Sequence, residues 1–421
     1  MDATQTAFSA ATTGVVAEDN HTPLLALHAV YARNQDVVAY DVSWEATDDS
    51  GDRNKGGLSR LNAQLMAGYS ATRQGPANRV VPTVLKLTSD VLDEDLPELP
   101  RTHYIVEVAW QAHAETELIH ALRRLAGQGY RLSISGLAPG CNASAELLGL
   151  VHMARLDIAR LGLSNALQVK EELRHYSLDL LASNLQGRDQ FKTCFEAGFH
   201  LFSGDLFGKP VPTPGRRIGN NKVVLLQLLA ELQKTNASVG NLEAIAIKAP
   251  ELAYRILRVV SSASVGLGRQ IETLSQAIAM LGTEQLRRWV VLFLVDSEDN
   301  RPLELTRVML VRGRMCELLA EILGRDMTLG HFMAGLLSQL DVLVDMPMKE
   351  LLEQVPLNTE IRNALLERKG SPGEILAEVE HYEAGRFDAL KNLVPRSYYE
   401  VAYRHSTVWA EQALRALEGS L

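Results

Sequence analysis

The sequence predicts two joined domains, an α/β domain followed by an all-α domain, on three observations. From about residue 24 to 211, short β-branched runs alternate with longer amphipathic stretches, the rhythm of repeated β-α units. The run KPVPTPGRRIGNN at residues 209–221 holds three prolines and two glycines, a composition that breaks both helix and strand. After it, strand-like runs cease and segments of helical period follow one another. A length of 421 residues is too great for one ordinary core, so two domains are expected. The boundaries that follow are a loose leader over 1–20, the α/β domain over 21–211, a linker over 212–221 and the helical domain over 222–421.

Eight strand candidates stand in the first half: LLALHAVYA, DVVAYDV, VPTVLKLT, HYIVEVAW, RLSISG, MARLDIARLG, LDLLASN and FHLFSGDLFG. Helical runs such as LSRLNAQLMAGYS and ETELIHALRRLAGQG lie between them, and in the second of these Leu118, Leu122 and Leu125 share one face. The second half offers VVLLQLLAELQKT, LAYRILRVVSSA, LSQAIAMLG, TEQLRRWVVLFLV and VMLVRGRMCELLAEILG as helices. Gly282 ends one of them, where a glycine relieves left-handed strain, and Thr283 can cap the next.

Composition narrows the function classes. Hydrophobic residues at 46% and charged residues at 22% suit a soluble globular chain. A net charge of −9 opposes binding to a phosphate backbone, and the short clusters Arg216-Arg217 and Arg287-Arg288 read as solvated charges, so no nucleic-acid partner is expected. Cys141, Cys194 and Cys316 have no metal-ligand spacing and read as reduced thiols. The N-terminus has neither a basic region nor an apolar core of a signal peptide, and no run approaches the roughly 18 apolar residues of a membrane span. A cytoplasmic location follows as the expectation.

If eight β-α units close into a barrel, function belongs at the C-terminal ends of the strands, where loops of different units converge. A metal-dependent phosphodiesterase would need several inward carboxylates there, because paired hard cations take oxygen ligands. The segments RNQDVVAYDV, YIVEVAWQAHAETELIHALRRLAGQGYRLSISG, MARLDIARLG and LLASNLQGRDQFKTCFEAGFHLFSGDLFGKP resemble an EAL cyclic-di-GMP phosphodiesterase domain over nearly the whole first half. The resemblance implies a TIM-like (β/α)8 barrel.

Carried over residue by residue, the resemblance also implies a lost metal site. The signature Glu falls at Asp41 and the signature Arg at Glu45, while a metal-binding Asn falls at Lys86. A Glu-x-x-Glu strand keeps Glu107 but has Trp110, and a tandem Asp pair becomes Ser135-Gly136. The family's Lys falls at Arg160 and the Asp after it at Gly162. Two late Glu positions read Ser183 and Gln186, and a late Gln reads Ser203. Asp41 and Glu107 cannot neutralise two divalent cations beside Lys86 and Arg160, so no metal and no cofactor are expected. Glu107 is expected to pair with Arg160 or Lys86.

In the second half, APELAYRILRVVSSASVGLGRQIETLSQAIAMLGTEQLRRWVV resembles the core of an HDOD domain, a relative of the HD phosphohydrolases. Pro250, Leu252, Ile256-Leu257, Ser261-Ser262, Ile271, Ala277-Ile278 and Leu281-Gly282 carry the likeness. The place of a metal-binding His-Asp doublet reads Ser338-Gln339, while His331, Asp341 and His381 form no doublet. His331 and His381 are expected as capping or packed histidines. Tyr398, Tyr399, Tyr403 and Trp409 are expected mostly as core aromatics.

The combined expectation is a noncatalytic bacterial regulatory protein acting through protein partners. The alternative is a cyclic-di-GMP receptor or weak phosphodiesterase using the barrel mouth lined by Asp41, Lys86, Glu107, Ser135, Arg160, Ser183 and Gln186. A homodimer is left open.

Overall fold

A computed structural model describes residues 24–45, 74–75, 79–87, 100–206, 220–232, 234, 237–249, 252–256, 273–295, 303–326, 328–354 and 357–418. The leader, the helical run at 58–70, most of the linker, Pro250, Leu257, Ser261-Ser262 and Ile271 lie outside these residues.

Eight strands close a barrel in the first half: β1 (Leu24–Ala32), β2 (Val37–Glu45), β5 (Thr83–Leu87), β6 (Tyr104–Ala109), β7 (Arg131–Ser135), β8 (Met153–Asp157), β9 (Asp179–Gln186) and β10 (Leu201–Asp205). The short pair β3 (Gln74–Gly75) and β4 (Arg79–Val80) stands apart from it. The closed barrel agrees with the sequence, but it is not eight repeated β-α units. β1 runs antiparallel to both β2 and β10, and all other neighbours are parallel. The reason is local: Arg33–Asp36 form a tight turn closed by Ala32 N–H to Asp36 O and Gln35 N–H to Ala32 O, so β1 and β2 are a hairpin with no helix between them.

Helices α1 (Glu115–Gly127), α2 (Ala145–Leu150), α3 (Ile158–Leu161), α4 (Leu163–Glu172) and α5 (Arg188–Glu196) supply the outer layer of the later units. Leu118, Leu122 and Leu125 of α1 bury the predicted face against outward residues such as Val106, Leu132 and Leu156. The barrel's lower interior is a separate apolar plug of Val30, Ala39, Val84, Ile105, Met153 and Leu181.

The second half contains no strand among the described residues. Its helices are α6 (Asn220–Leu232), α7 (Val239–Ala246), α8 (Leu274–Val295), α9 (Leu303–Ile322), α10 (Thr328–Leu337), α11 (Leu340–Val344), α12 (Met348–Gln354), α13 (Thr359–Glu367), α14 (Gly370–Glu383) and α15 (Arg396–Glu418). Gly282 breaks α8 with φ 72° and ψ 163°, where the sequence placed a helix end. No described helix is long and apolar enough to cross a membrane. Cys194 and Cys316 are buried and Cys141 half-buried, all as free thiols. Of the four C-terminal aromatics, expected mostly in the core, Tyr399 and Tyr403 are buried and Trp409 packs edge-on against Phe332, while Tyr398 is exposed.

α9 is the central helix, buried along most of its length, and it crosses α10 where two glycines meet. A Cβ at Gly335 would stand 2.6 Å from Arg312 O and 2.8 Å from Gly313 Cα, both of them backbone atoms. Gly335→Ala is therefore expected to force the helices apart and lower stability by about 1–3 kcal/mol. Gly149→Ala, in open space on α2, should be neutral or stabilising by up to about 1 kcal/mol. Urea unfolding of the two variants checks the contrast.

Candidate functional site

Because side chains alternate across a strand, the register fixes which residues share the barrel interior. One step above the apolar plug, each strand contributes one polar residue to a layer: His28, Asp41, Lys86, Glu107, Ser133, Arg155, Ser183 and Ser203. Four of these, Asp41, Lys86, Glu107 and Ser183, are site residues expected from the sequence. Ser135 sits one step higher on β7, where its hydroxyl donates to Val108 O at 3.4 Å. Gln186 is exposed on the rim at the end of β9.

Arg160 does not belong to the site. It lies on α3, exposed, and makes no contact with Glu107. The strand ends three residues earlier because the Asp157 carboxylate accepts the Arg160 backbone N–H at 3.0 Å and caps α3. The inward cation of this strand is Arg155, and Arg155-Leu156-Asp157 has the same spacing that the sequence reading gave to Arg160 and Gly162. Asp157 is engaged at the rim, its second oxygen accepting from Asn184 Nδ2 at 3.0 Å.

Arg155 joins the two carboxylates of the layer. Its Nε donates to Glu107 Oε2 at 2.7 Å and its Nη1 to Asp41 Oδ2 at 2.8 Å. Lys86 Nζ meets the other oxygen of Asp41 at 2.8 Å, and Ser133 Oγ donates to Glu107 Oε2 at 3.2 Å. Arg155 and Glu107 are 9% and 3% exposed, whereas Lys86 is 36% exposed and faces the opening. Two carboxylates and two cations make the layer neutral without any bound ion. Burial by itself would raise the Asp41 carboxyl, but the Arg155 guanidinium and the Lys86 ammonium outweigh it and hold Asp41 below its ordinary value. Burial would likewise lower Arg155, but Glu107 and Asp41 hold it above. His28, opposite Asp41, is lowered mainly by burial and bonds Ser43 Oγ through Nε2 at 2.8 Å.

These residues do not fit a pair of divalent cations. The oxygens of Asp41 and Glu107 that point into the interior are taken by a guanidinium, and an ammonium stands beside them. Trp110, at the second position of the Glu-x-x-Glu strand, turns away to donate to Glu115 Oε2 at 3.0 Å. Among the described residues no group of three or more His, Cys, Asp or Glu could hold a metal ion.

The helical half repeats the arrangement. Arg312 of α9 donates through Nε to Glu383 at 2.7 Å and through Nη1 to Ser338 Oγ at 2.8 Å, with Glu380 at 3.6 Å. Ser338 is the first position of the expected doublet, and its hydroxyl passes a hydrogen bond on to Gly335 O at 2.7 Å. Gln339 Oε1 is buried without a hydrogen bond. His331 is buried and pairs with Ser371 at 2.9 Å, and His381 Nδ1 accepts from Arg386 Nε at 3.2 Å.

Comparison with known proteins places the second half first. The stretch from 220 to 386 matches the HDOD domain family. Residues 220–386 are an HDOD domain. The chain is 24% identical over 395 residues to protein YuxH of Bacillus subtilis (strain 168), covering 90% of this chain and 95% of that protein. It is 29% identical over 296 residues to the cyclic di-GMP phosphodiesterase CdgJ of Vibrio cholerae, covering 68% of this chain and 67% of the relative. Among solved structures it is similar to the PaMucR phosphodiesterase in complex with c-di-GMP, at 16% identity over 46% of this chain and 93% of the other, with a TM-score of 0.35. The Bacillus subtilis YkuI protein, with an EAL domain, matches at 13% identity over 64% of this chain and 73% of the other, with a TM-score of 0.37. In the chain, the HDOD stretch follows the N-terminal barrel.

The ion layer sets two expectations. Arg155→Met leaves two buried carboxylates without their shared countercharge and is expected to cost about 3–5 kcal/mol in urea unfolding, most of it returned by adding Glu107→Gln and Asp41→Asn. Arg160→Ala, on the surface, should cost under about 0.5 kcal/mol. Asp41 has a folded pKa below its unfolded value of about 4, so its contribution is complete above that pH and is lost as pH falls through the folded value. Stability of the wild type should therefore fall more steeply below pH 4 than that of Asp41→Asn, measured by thermal unfolding across an acid pH series.

Proposed function

We propose that this chain is a noncatalytic regulatory protein of bacterial cyclic-di-GMP signalling, working through contacts with protein partners. The observation that carries this reading is the position of Arg155, whose guanidinium lies between Asp41 and Glu107. A guanidinium supplies charge but cannot accept the proton of an attacking water, and it offers no open coordination position. Ser183 and Ser135 supply hydroxyls bonded to backbone carbonyls where metal chemistry would need carboxylates. The relative CdgJ is named a cyclic di-GMP phosphodiesterase, which supports the signalling context and makes its reaction the one to assay. Incubation of the full chain with cyclic-di-GMP and magnesium or manganese should yield no linear dinucleotide, and metal-dependent turnover would overturn the reading.

One observation favours a second reading, a cyclic-di-GMP receptor. Arg155 Nη2 is buried with no hydrogen-bond partner, and Lys86 is part-exposed above it. A guanidinium N–H beside an ammonium suits a phosphate. Calorimetric heat on adding cyclic-di-GMP would support the receptor, and none at high concentration would end it.

A further inference from the structure

The upper half of the β1–β2 hairpin stands above the barrel rim. β10 pairs with β1 at Val30–Ala32, so from Leu24 to Ala29 the edge of β1 that faces away from β2 has no neighbouring strand among the described residues. An uncovered strand edge leaves N–H groups unsatisfied. Here the helical half supplies the acceptors: Tyr382 Oη of α14 takes the Leu25 N–H at 3.4 Å, and Tyr403 Oη of α15 takes the Leu27 N–H at 3.2 Å. Leu24 and Ala26 belong to the apolar core of the helical half, not to that of the barrel.

The contact continues along the rim. Arg396 at the start of α15 pairs with Glu45, the last residue of β2, at 2.6 Å. Arg188, just beyond the end of β9, pairs with Asp345 after α11 at 2.6 Å. Between these anchors the turn at Gly385 is seated on the hairpin face that carries Asp41. A Cβ at Gly385 would lie 2.5 Å from Ser43 Cβ and 3.4 Å from His28 Nε2, so the fit admits no side chain. On the outer face of β2, Tyr40 donates to Glu304 of α9 at 3.0 Å, and Glu304 is itself held by the buried Arg307.

We propose that the helical half is a built-in cover over the hairpin side of the barrel mouth, gripping the hairpin and setting the Gly385 turn over His28 and Ser43, so that access to Asp41 from that side is governed by its lifting. This rests on the reading of the mouth as a site without hydrolytic chemistry, because a cover regulates access and not turnover. The two rim ion pairs are part-exposed and weak singly, while the tyrosine contacts and the small apolar patch of Leu24 and Ala26 set the register.

The Leu25 and Leu27 amides report the cover directly, because their acceptors belong to the helical half. Hydrogen exchange on the full chain should find both protected. Reversing the two anchors together, Arg396→Glu with Asp345→Arg, should raise their exchange at least tenfold while Val106 and Leu132 inside the barrel stay unchanged. Adding Glu45→Arg and Arg188→Glu restores complementary pairs and should restore protection. Free exchange of Leu25 and Leu27 in the wild type overturns the cover, as does unchanged exchange in the reversed variant. Should the reversed variant lose barrel protection as well, Tyr382→Phe with Tyr403→Phe, which removes no charge, gives the second measurement under the same criteria. A cyclic-di-GMP hydrolysis assay run on the same samples separates the two ideas: turnover with Leu25 and Leu27 protected sinks the noncatalytic reading alone, and free exchange without turnover sinks the cover alone.

Discussion

The guanidinium of Arg155 is the group on which the barrel interior depends. Two carboxylates in a dry barrel would repel each other and lose their hydration, and either cost alone would unfold or protonate the site. One planar cation with donors in a fixed fork can face both at once, which a lysine ammonium on a flexible stem does less well. Lys86 then needs to satisfy only the outer oxygen of Asp41, and it can stay part-exposed. The layer closes on itself as a neutral set, so the barrel keeps polar residues in its mouth without requiring an ion to hold them.

The same solution appears in the helical half, where Arg312 lies among Ser338, Glu380 and Glu383. Burial pushes the Glu383 carboxyl up and Arg312 draws it only part of the way back, which leaves this cluster less completely compensated than the barrel layer. In both halves a permanent side-chain cation bridges two carboxylates. Such a cation is covalently part of the chain and cannot dissociate. The β1–β2 hairpin touches both halves, with the Leu25 N–H bonded to Tyr382 and Asp41 on the other strand.

Much of the fold was legible because its signals are local. LLALHAVYA is β1 residue for residue, and the Gly282 break sits where a helix-ending glycine was expected. The hairpin was missed because RNQD was read as part of a motif and not as a turn, although four polar residues between two apolar runs are a turn signal. The site was half legible: Asp41, Lys86, Glu107 and Ser183 fall in the inner layer by strand alternation alone. Arg155 was missed because MARLDIARLG contains two arginines and the strand was carried past its end. Asp157 as an N-cap marks that end, and counting back by twos from Asp157 puts Arg155, not Arg160, inside. The grip of Tyr382 and Tyr403 on β1 spans more than 350 residues of sequence, and no local pattern could have shown it.

Manganese binding to the intact chain tests the substitution of arginine for metal most directly. Mn2+ titrated into the protein at neutral pH can be followed by the electron paramagnetic resonance of the free ion. With Arg155 between Asp41 and Glu107, the free-ion signal should rise from the first addition as it does in buffer. A stoichiometric loss of that signal, abolished by Asp41→Asn or Glu107→Gln, would contradict it.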